Sequence, residues 1–276
     1  LLIYQGSDRQ QILEAGAKTE GKVVWYTSMA GGILKAVTDG FEKKYPGVKV
    51  EIYRAESPEV ATRVLEESQS KKPNADVLEI PSASLSIIRE AKLVTPYYTP
   101  EAKRYPADVR EMGSGELAWW VADRESYIGF AYNTNLISAS DAPKSYQDLL
   151  KPALKGKMVL SGTISGTTAI GNMLTHLGEE FSRQLATQDI RVQVVSAAAM
   201  ADLISSGEVP ASPSVSNASF KTAKSKGAPI EWATLEPTTA NAGSVGLPVS
   251  PPRPHAALLL ADYLLSEEGQ AAFLAN

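Results

Sequence analysis

Glycine and hydroxyl residues are concentrated in one short stretch, SGTISGTTAIG at positions 161–171. The apolar segment KMVL precedes it and the helical segment NMLTHLGEEF follows it, so the pattern predicts a strand, a loop and a helix. Free N–H groups at a helix start, together with the positive end of the helix dipole, can bind a phosphate or a carboxylate. The candidate ligand-binding residues of this stretch are Ser161, Ser165, Gly166, Thr167 and Thr168.

Two interpretations of this loop remain open on the sequence alone. Ser and Thr often cap helices, so the loop can be an ordinary N-cap. Ligands of open α/β sheets bind at the carboxyl ends of strands, which favours a binding loop. A nucleotide-binding loop would need G-x-x-x-x-G-K-[ST], and no lysine follows Gly166. The prediction is a loop that binds an anionic group, through amides near Gly166, Thr167 and Thr168, without chemistry on it.

Residue types suited to catalysis are sparse. Cysteine is absent, and the two histidines, His176 in a helical stretch and His255 in PPRPHAAL, indicate no nucleophile–base pair and no metal-ligand pair. The sequence contains no G-x-S-x-G, H-E-x-x-H or EF-hand pattern. Asp76 and Glu79 in NADVLEI could form an acid pair, although a charge at a strand end is the simpler interpretation. No enzyme activity, cofactor or metal site is predicted.

The overall composition excludes several classes of function. The chain has 276 residues and a formal net charge of -4, with no block rich in Lys and Arg, so a nucleic-acid surface is not expected. No run of about 18 apolar residues is present, so no membrane span is predicted. The chain opens on LLIYQGSDRQ, which suggests a mature chain whose signal peptide has been removed.

The order of apolar segments predicts the fold class. The short strands KVVWYTS, VKVEIYRA and ADVLEIPS alternate with helical segments, which is typical of a parallel α/β sheet. Ser57 and Pro58 are expected to be the N-cap and first residue of one of these helices. A Pro- and Tyr-rich loop, VTPYYTPEAKRYP, interrupts the series, and a second series starts at SYQDLL. Two α/β lobes joined by two crossing segments are therefore predicted.

Several segments resemble a known family in their order along the chain. They are GKVVWYTSMAGGILKAVTDGFEKKYPGVKVEIYRA, NADVLEIPS, IGFAYNTNLI, SYQDLLKPALKGKM, ISSGEVPAS and LLADYLLSEEGQAAF. Together they cover nearly the whole chain and resemble the extracellular solute-binding proteins of ABC importers, in the ferric-binding-protein-like branch. The resemblance implies a type II periplasmic-binding-protein fold, in which each lobe is a mainly parallel sheet flanked by helices. It implies a ligand cleft between the lobes and a two-strand hinge.

The resemblance also implies boundaries and partners. Lobe 1 would comprise 1–126 and 240–276, lobe 2 would comprise 127–239, and the crossings would lie near 125–133 and 233–243. The protein would be a periplasmic monomer that captures a small solute and delivers it to an ABC transporter membrane permease. An enzyme on the same scaffold is an alternative from another class, because the fold alone does not separate the two.

Candidate site residues follow from matching motifs in both lobes. The resemblance implies site residues in the strand-end motifs YTS, RAES and PSAS, just before the crossing SYIGFAYNT, and in the second-lobe motif SPSVSN. The positions added to the opening loop are Thr27, Ser28, Glu56, Ser57, Ser82, Arg124, Ser214 and Asn217.

The sequence departs from the ferric pattern at one place. Iron-binding relatives carry adjacent tyrosines after the GEVPA motif, whereas Asn217 and Ala218 occupy the corresponding positions here. Neither residue can supply the anionic oxygen that ferric ion requires. Tyr97 and Tyr98 are adjacent but are interpreted as packing residues. A small organic anion is therefore the predicted ligand, and a ferric carrier that uses a synergistic anion is the alternative.

Overall fold

The computed structural model describes residues 1–29 and 31–274. The chain divides into two compact units: unit 1 is Leu1–Arg124 with Ala242–Asn276, and unit 2 is Glu125–Asn241. The lobe boundaries predicted from the sequence lie between residues 126 and 127 and between residues 239 and 240.

The elements are numbered in chain order. The α-helices are α1 (Arg9–Glu20), α2 (Gly31–Lys44), α3 (Ser57–Gln69), α4 (Ser82–Glu90), α5 (Ile164–Ala186), α6 (Ala197–Ser206), α7 (Asn217–Ser225), α8 (Pro254–Leu265) and α9 (Glu267–Leu274). The strands are β1 (Lys22–Thr27), β2 (Lys49–Arg54), β3 (Val77–Pro81), β4 (Val94–Thr95), β5 (Tyr97–Tyr98), β6 (Arg110–Met112), β7 (Leu117–Asn133), β8 (Val159–Ser161), β9 (Arg191–Gln193), β10 (Ala211–Ser216), β11 (Ile230–Ala233) and β12 (Thr239–Pro248). Short 3-10 turns cover Pro100–Arg104, Ala107–Val109, Gln147–Leu150 and Pro152–Leu154.

Unit 1 is built on a sheet whose central strands are parallel. Strand β1 pairs in parallel with β2 on one side and with β3 on the other, and β12 pairs antiparallel with β3. The apolar, β-branched and aromatic residues of β1 suit such a buried strand. The predicted alternation of strands and helices over the first 90 residues is confirmed.

One helix near the C-terminus, α8, completes the core of unit 1. Helix α8, PHAALLLADYLL, is apolar around most of its circumference and is buried from Ala256 to Leu265, as expected of an interior helix. It packs on α1, and its one acidic residue, Asp262, is paired with Arg9 of that helix. Burial of this charge is tolerated because the pair is close and hydrogen-bonded.

Unit 2 combines antiparallel and parallel pairing. Strands β10 and β11 both pair antiparallel with the second part of β7, and β8 pairs in parallel with β9. One buried cluster lies around Phe130, Leu149 and Met173, and another lies around Met200, Ile204 and Ile230. Helix α5 is broken at Gly178, whose φ of 79° favours glycine. Strands β7 and β12 each contribute residues to both units.

In the part of the chain that the structure describes, none of the helices combines the length and apolar character needed to cross a membrane.

Candidate functional site

The carboxyl ends of β1 and β3 carry the first group of site residues in unit 1. Thr27, the last residue of β1, is fully buried, and its hydroxyl donates a hydrogen bond to Oε2 of Glu79 on β3. The same hydroxyl oxygen accepts from the Met29 amide at 2.9 Å. The Ser28 amide donates to the carbonyl of Glu79 at 3.0 Å, and the Ser28 side chain is half-buried. Thr27 is thus a support for Glu79, whereas Ser28 is accessible.

Arg124, the last residue of the first segment of unit 1, is held by the same carboxylate. Its Nε donates to Oε1 of Glu79 at 3.0 Å; the side chain of Glu79 is fully buried and that of Arg124 is 20% exposed. Within the described residues, neither Nη1 nor Nη2 of Arg124 has a protein acceptor. Burial lowers the pKa of the guanidinium, but the charges of Glu79 and Asp123 outweigh that effect and raise it. Arg124 therefore offers two donor groups on a permanently charged side chain.

Asp123 is an unusual neighbour of the Arg124–Glu79 ion pair. The residue is buried, and neither carboxylate oxygen forms a hydrogen bond of normal geometry within the described residues, although the backbone amides of Asp123 and Arg124 favour its charged form. Burial raises the pKa of Asp123 well above its usual range, the charge of Glu79 raises it further, and Arg124 only partly opposes them. Burial and the neighbouring negative charge both favour the protonated form of this carboxyl group.

The other unit 1 candidates occupy helix starts. Glu56, not Ser57, is the N-cap residue of α3, so the N-cap prediction for Ser57 is wrong. Ser57 is the first helical residue, and its buried hydroxyl has no partner among the described residues. Glu56 is half-buried and pairs with Arg54 at 3.3 Å, and Ser82 is the half-buried first residue of α4.

In unit 2, hydroxyl groups and a backbone amide form a hydrogen-bond network between the end of β8 and the middle of β10. The Ser161 amide donates to Oγ of Ser214 at 2.9 Å, and that Oγ lies 2.9 Å from Oγ of Ser212. Oγ of Ser161 donates to the carbonyl of Val195 and lies 2.8 Å from Oγ1 of Thr163. Ser165 continues the series, with its Oγ 3.5 Å from Oγ1 of Thr163. These hydroxyls fix the start of α5, which has Thr163 as its N-cap.

The structure corrects the prediction for two residues of the loop. The Thr167 amide donates to the carbonyl of Thr163 at 3.0 Å, and its hydroxyl donates to the same carbonyl at 3.1 Å. Thr168 lies one residue further into α5, beyond the first turn whose amides lack helical acceptors. The amides available at this helix start therefore belong to Ile164, Ser165 and Gly166, because the helix begins earlier than the glycine pattern indicated.

Two further candidates serve the architecture of unit 2. Ser214 is fully buried, and its hydroxyl is hydrogen-bonded to the Ser161 amide and to the Ser212 hydroxyl. It therefore stabilises the loop that starts at Ser161. Oδ1 of Asn217 accepts from the amides of Tyr127 and Ala218 at 3.1 Å and 2.9 Å. Asn217, predicted as a ligand-binding residue, therefore uses its Oδ1 to anchor α7 to β7, and its amide nitrogen is left for other contacts.

The residues considered for other chemistry are separated from one another. Asp76 is paired with Arg253, with 2.5 Å between Oδ2 and Nε, so Asp76 and Glu79 each have their own arginine and form no acid pair. His255 is paired with Glu20, with Nδ1 and Oε1 2.7 Å apart, and His176 is exposed. Among the described residues, no group of three or more His, Cys, Asp or Glu side chains is arranged to hold a metal ion.

Three residues at the Arg124 group were missed as candidates from the sequence. Glu79 was considered only as an acid-pair partner of Asp76 or as a strand-end charge, and neither Asp123 nor Gly243, which lies in β12, was distinguished. A β-carbon on Gly243 would lie 2.4 Å from Oε1 of Glu79 and 2.6 Å from Nε of Arg124. The one available signal was an acidic residue inside an apolar strand, because such a charge needs a buried partner.

Comparison with known proteins identifies the family of the chain. Residues 36–275 match the family described as bacterial extracellular solute-binding protein. A curated relative, the probable ABC transporter periplasmic-binding protein y4fP of Sinorhizobium fredii, is 29% identical over 46% of this chain and 34% of its own length. The matched stretches span less than half the length of the curated relatives.

Solved structures support the fold. The periplasmic binding protein AfuA from Actinobacillus pleuropneumoniae, with fructose-6-phosphate bound, is 24% identical and has a TM-score of 0.77, with 91% of this chain and 81% of that chain covered. Iron-bound HitA from Pseudomonas aeruginosa is 22% identical and has a TM-score of 0.78, with 92% and 84% covered. The chain belongs to the bacterial extracellular solute-binding protein family, and the predicted type II periplasmic-binding-protein fold is confirmed.

Proposed function

We propose that this protein is the substrate-binding component of an ABC transporter, which captures a small organic anion in the periplasm and delivers it to a membrane permease. It acts as a monomer and performs no chemistry on the solute. The observation that carries the proposal is Arg124, whose guanidinium is fixed at Nε while Nη1 and Nη2 have no acceptor in the described chain. A fixed guanidinium with two unused donors suits a carboxylate, phosphate, phosphonate or sulfonate.

The solute-contacting groups are proposed for each unit separately. In unit 1 they are Arg124 and the accessible Ser28, with Glu56 and Ser82 at neighbouring helix starts. In unit 2 they are the amides of Ser165 and Gly166 and the hydroxyl network behind them. The small neutral donors confer orientation, and Arg124 supplies the charge.

The names of relatives support a transport role. The curated relative from Sinorhizobium fredii is a probable ABC transporter periplasmic-binding protein, and the AfuA structure holds a sugar phosphate. The iron-bound HitA structure keeps a ferric carrier as the second candidate. Against that candidate, the hydroxyl of the buried Tyr97 donates to the carbonyl of Val245 at 3.0 Å, so this tyrosine is committed to packing.

A thermal-shift screen tests the proposal. The panel contains carboxylates, phosphate, sugar phosphates, phosphonates, polyols, amines and ferric salts. A ligand that binds only the native state raises the melting temperature by linkage, by an amount that grows with ligand concentration. We expect at least one anionic class to raise it, with polyols and amines inactive. A response to polyols or amines alone would contradict an anion-binding role.

A further inference from the structure

Arg124 is oriented by a carboxylate on a separate strand. Glu79 is fully buried, and it accepts from Nε of Arg124 through Oε1 and from the hydroxyl of Thr27 through Oε2. Thr27 is in turn fixed by the Met29 amide at 2.9 Å. Both oxygens of Glu79 are therefore occupied, and the carboxylate has a single supported orientation.

The backbone of β12 packs against the Glu79–Arg124 ion pair at Gly243. At Gly243 the absence of a side chain leaves room for both partners, since a β-carbon there would lie 2.4 Å from Oε1 of Glu79 and 2.6 Å from Nε of Arg124. Real β-carbons do not approach heavy atoms so closely, so one more methyl group would displace the ion pair. The atoms displaced would be side-chain atoms, while the glycine backbone could keep its place.

The occupied edge of the guanidinium determines which edge remains. A guanidinium can bind a carboxylate side-on, through Nε and one Nη, or end-on, through both Nη groups. Glu79 uses Nε, so the end-on pair Nη1 and Nη2 remains on a side chain that is 20% exposed. An end-on pair of donors matches a ligand atom that carries two acceptor oxygens.

We infer that Glu79 and Gly243 are positioning residues for Arg124, and that they select ligands carrying two acceptor oxygens on one atom: carboxylates, phosphates, phosphonates and sulfonates. This inference rests on the proposed function. Glu79 does not touch the solute; it fixes the guanidinium so that its end-on edge faces outward. The negative charge of Glu79 partly offsets the positive charge of Arg124, so recognition depends on the geometry of the two Nη groups as well as on the charge of the guanidinium.

Two substitutions at position 79 separate geometry from charge. Glu79→Gln and Glu79→Ala remove the same negative charge, but only Gln keeps an oxygen that can accept from Nε. Gly243→Ala changes no charge and displaces the pair. Gly171→Ala is its control, because a β-carbon added at Gly171 would have no neighbouring atom within 4 Å. Circular dichroism and melting temperature identify variants that fold.

The first measurement needs no ligand. Nitrogen-15 NMR of labelled arginine reports the exchange of each Nε–H with water, and Arg124→Lys assigns the Arg124 signal. We expect the Arg124 Nε–H to exchange about tenfold or more slowly than that of Arg183, a side chain that is 75% exposed, since a charge-assisted hydrogen bond has at least that effect. The protection should persist in Glu79→Gln and disappear in Glu79→Ala and Gly243→Ala. Equal exchange at Arg124 and Arg183 in the wild type would overturn the inference.

The second measurement is calorimetric titration with acetate, inorganic phosphate, methylphosphonate and methanesulfonate. We expect Glu79→Gln to bind the best of these probes at least as tightly as the wild type does. Glu79→Ala should bind it about tenfold more weakly than Glu79→Gln, which is the effect of losing one such hydrogen bond. For the same reason, Gly243→Ala should bind it about tenfold more weakly than its control Gly171→Ala. Equal affinities of folded Glu79→Gln and Glu79→Ala would overturn the positioning role. A wild type that binds none of the probes but responds to polyols would refute the proposed function, and with it the solute role of Arg124, even if the NMR signal is protected.

Discussion

Gly166 packs against the carbonyl oxygen of Ser161 so closely that a β-carbon at position 166 would lie 1.8 Å from that oxygen. The contact joins the end of β8 to the first turn of α5, and the obstructing atom belongs to the backbone. The glycine in the second half of the SGTISGTT pattern is therefore required by packing, whatever the loop binds.

Gly166→Ala should destabilise the protein by about 1–3 kcal/mol or more, as overpacking does. Gly171→Ala, on an exposed face of the same helix, should leave stability unchanged or raise it by up to about 1 kcal/mol. Urea unfolding of both variants measures the difference. Equal midpoints for the two alanine variants would show that the close approach at Gly166 is not a feature of the folded protein.

The buried ion pair of Arg9 and Asp262 should make a large contribution to the stability of the packing between α1 and α8. The two side chains are 7% and 11% exposed, and Arg9 also donates to the carbonyl of Tyr98 at 2.9 Å. Arg9→Ala leaves a buried carboxylate without its partner and should cost about 3–5 kcal/mol. The control Arg183→Ala removes an exposed pair and should cost less than about 1 kcal/mol in the same urea titration. Similar costs for the two would contradict the burial of Arg9.

Asp123 should make stability fall as pH rises above the acidic range. The unfolded side chain loses its proton near pH 4, whereas burial raises the pKa in the folded protein well above that value. Between the two pKa values only the folded state holds the proton, so its stabilising contribution is complete below about pH 4 and is lost as pH rises through the folded pKa. Asp123→Asn removes this dependence, so its melting temperature relative to the wild type should increase from pH 4 to pH 8. A difference that is constant over this range would show that Asp123 has an ordinary pKa.

The sequence was a good guide to local structure and a poor guide to contacts between distant residues. The apolar run of β1 and the helical spacing of Ile33, Leu34, Val37 and Phe41 contain enough local information to place a strand and a helix. Glu79 and Arg124 are 45 positions apart, and Asn217 and Tyr127 are 90 positions apart. Their pairing depends on strand order and register, which periodicity does not report.

The start of α5 illustrates the same limit at short range. The small residues of SGTISGTT indicated a loop followed by a helix, but Thr163 is the N-cap and the helix already begins at Ile164, so most of the predicted loop is helical. A shift of a few residues decides which amides are free, because only the first turn of a helix lacks acceptors. Thr167 and Thr168 were therefore assigned to binding when their amides belong to the helix.

The protein should show no tyrosinate–iron charge-transfer band when chelated ferric ion is added. By the resemblance to the ferric-binding branch, Asn217 and Ala218 correspond to its tyrosine pair, and Tyr97 is fully buried and hydrogen-bonded to Val245. Burial also raises the pKa of Tyr97 well above its usual range, which opposes formation of a phenolate. Visible absorption with ferric citrate is the measurement, with ferric citrate alone as the blank. A new band in the visible range would support the ferric carrier instead.

Calorimetric titration of the wild type and Arg124→Ala with the strongest anionic hit of the thermal-shift screen tests the central claim most directly. If Arg124 is the charged anchor for a small organic anion, its loss should cost about 2–5 kcal/mol of binding free energy, the range for truncating one partner of a buried charge pair. The exposed control Arg183→Ala should bind as the wild type does. Equal affinity of folded Arg124→Ala and the wild type would contradict the account.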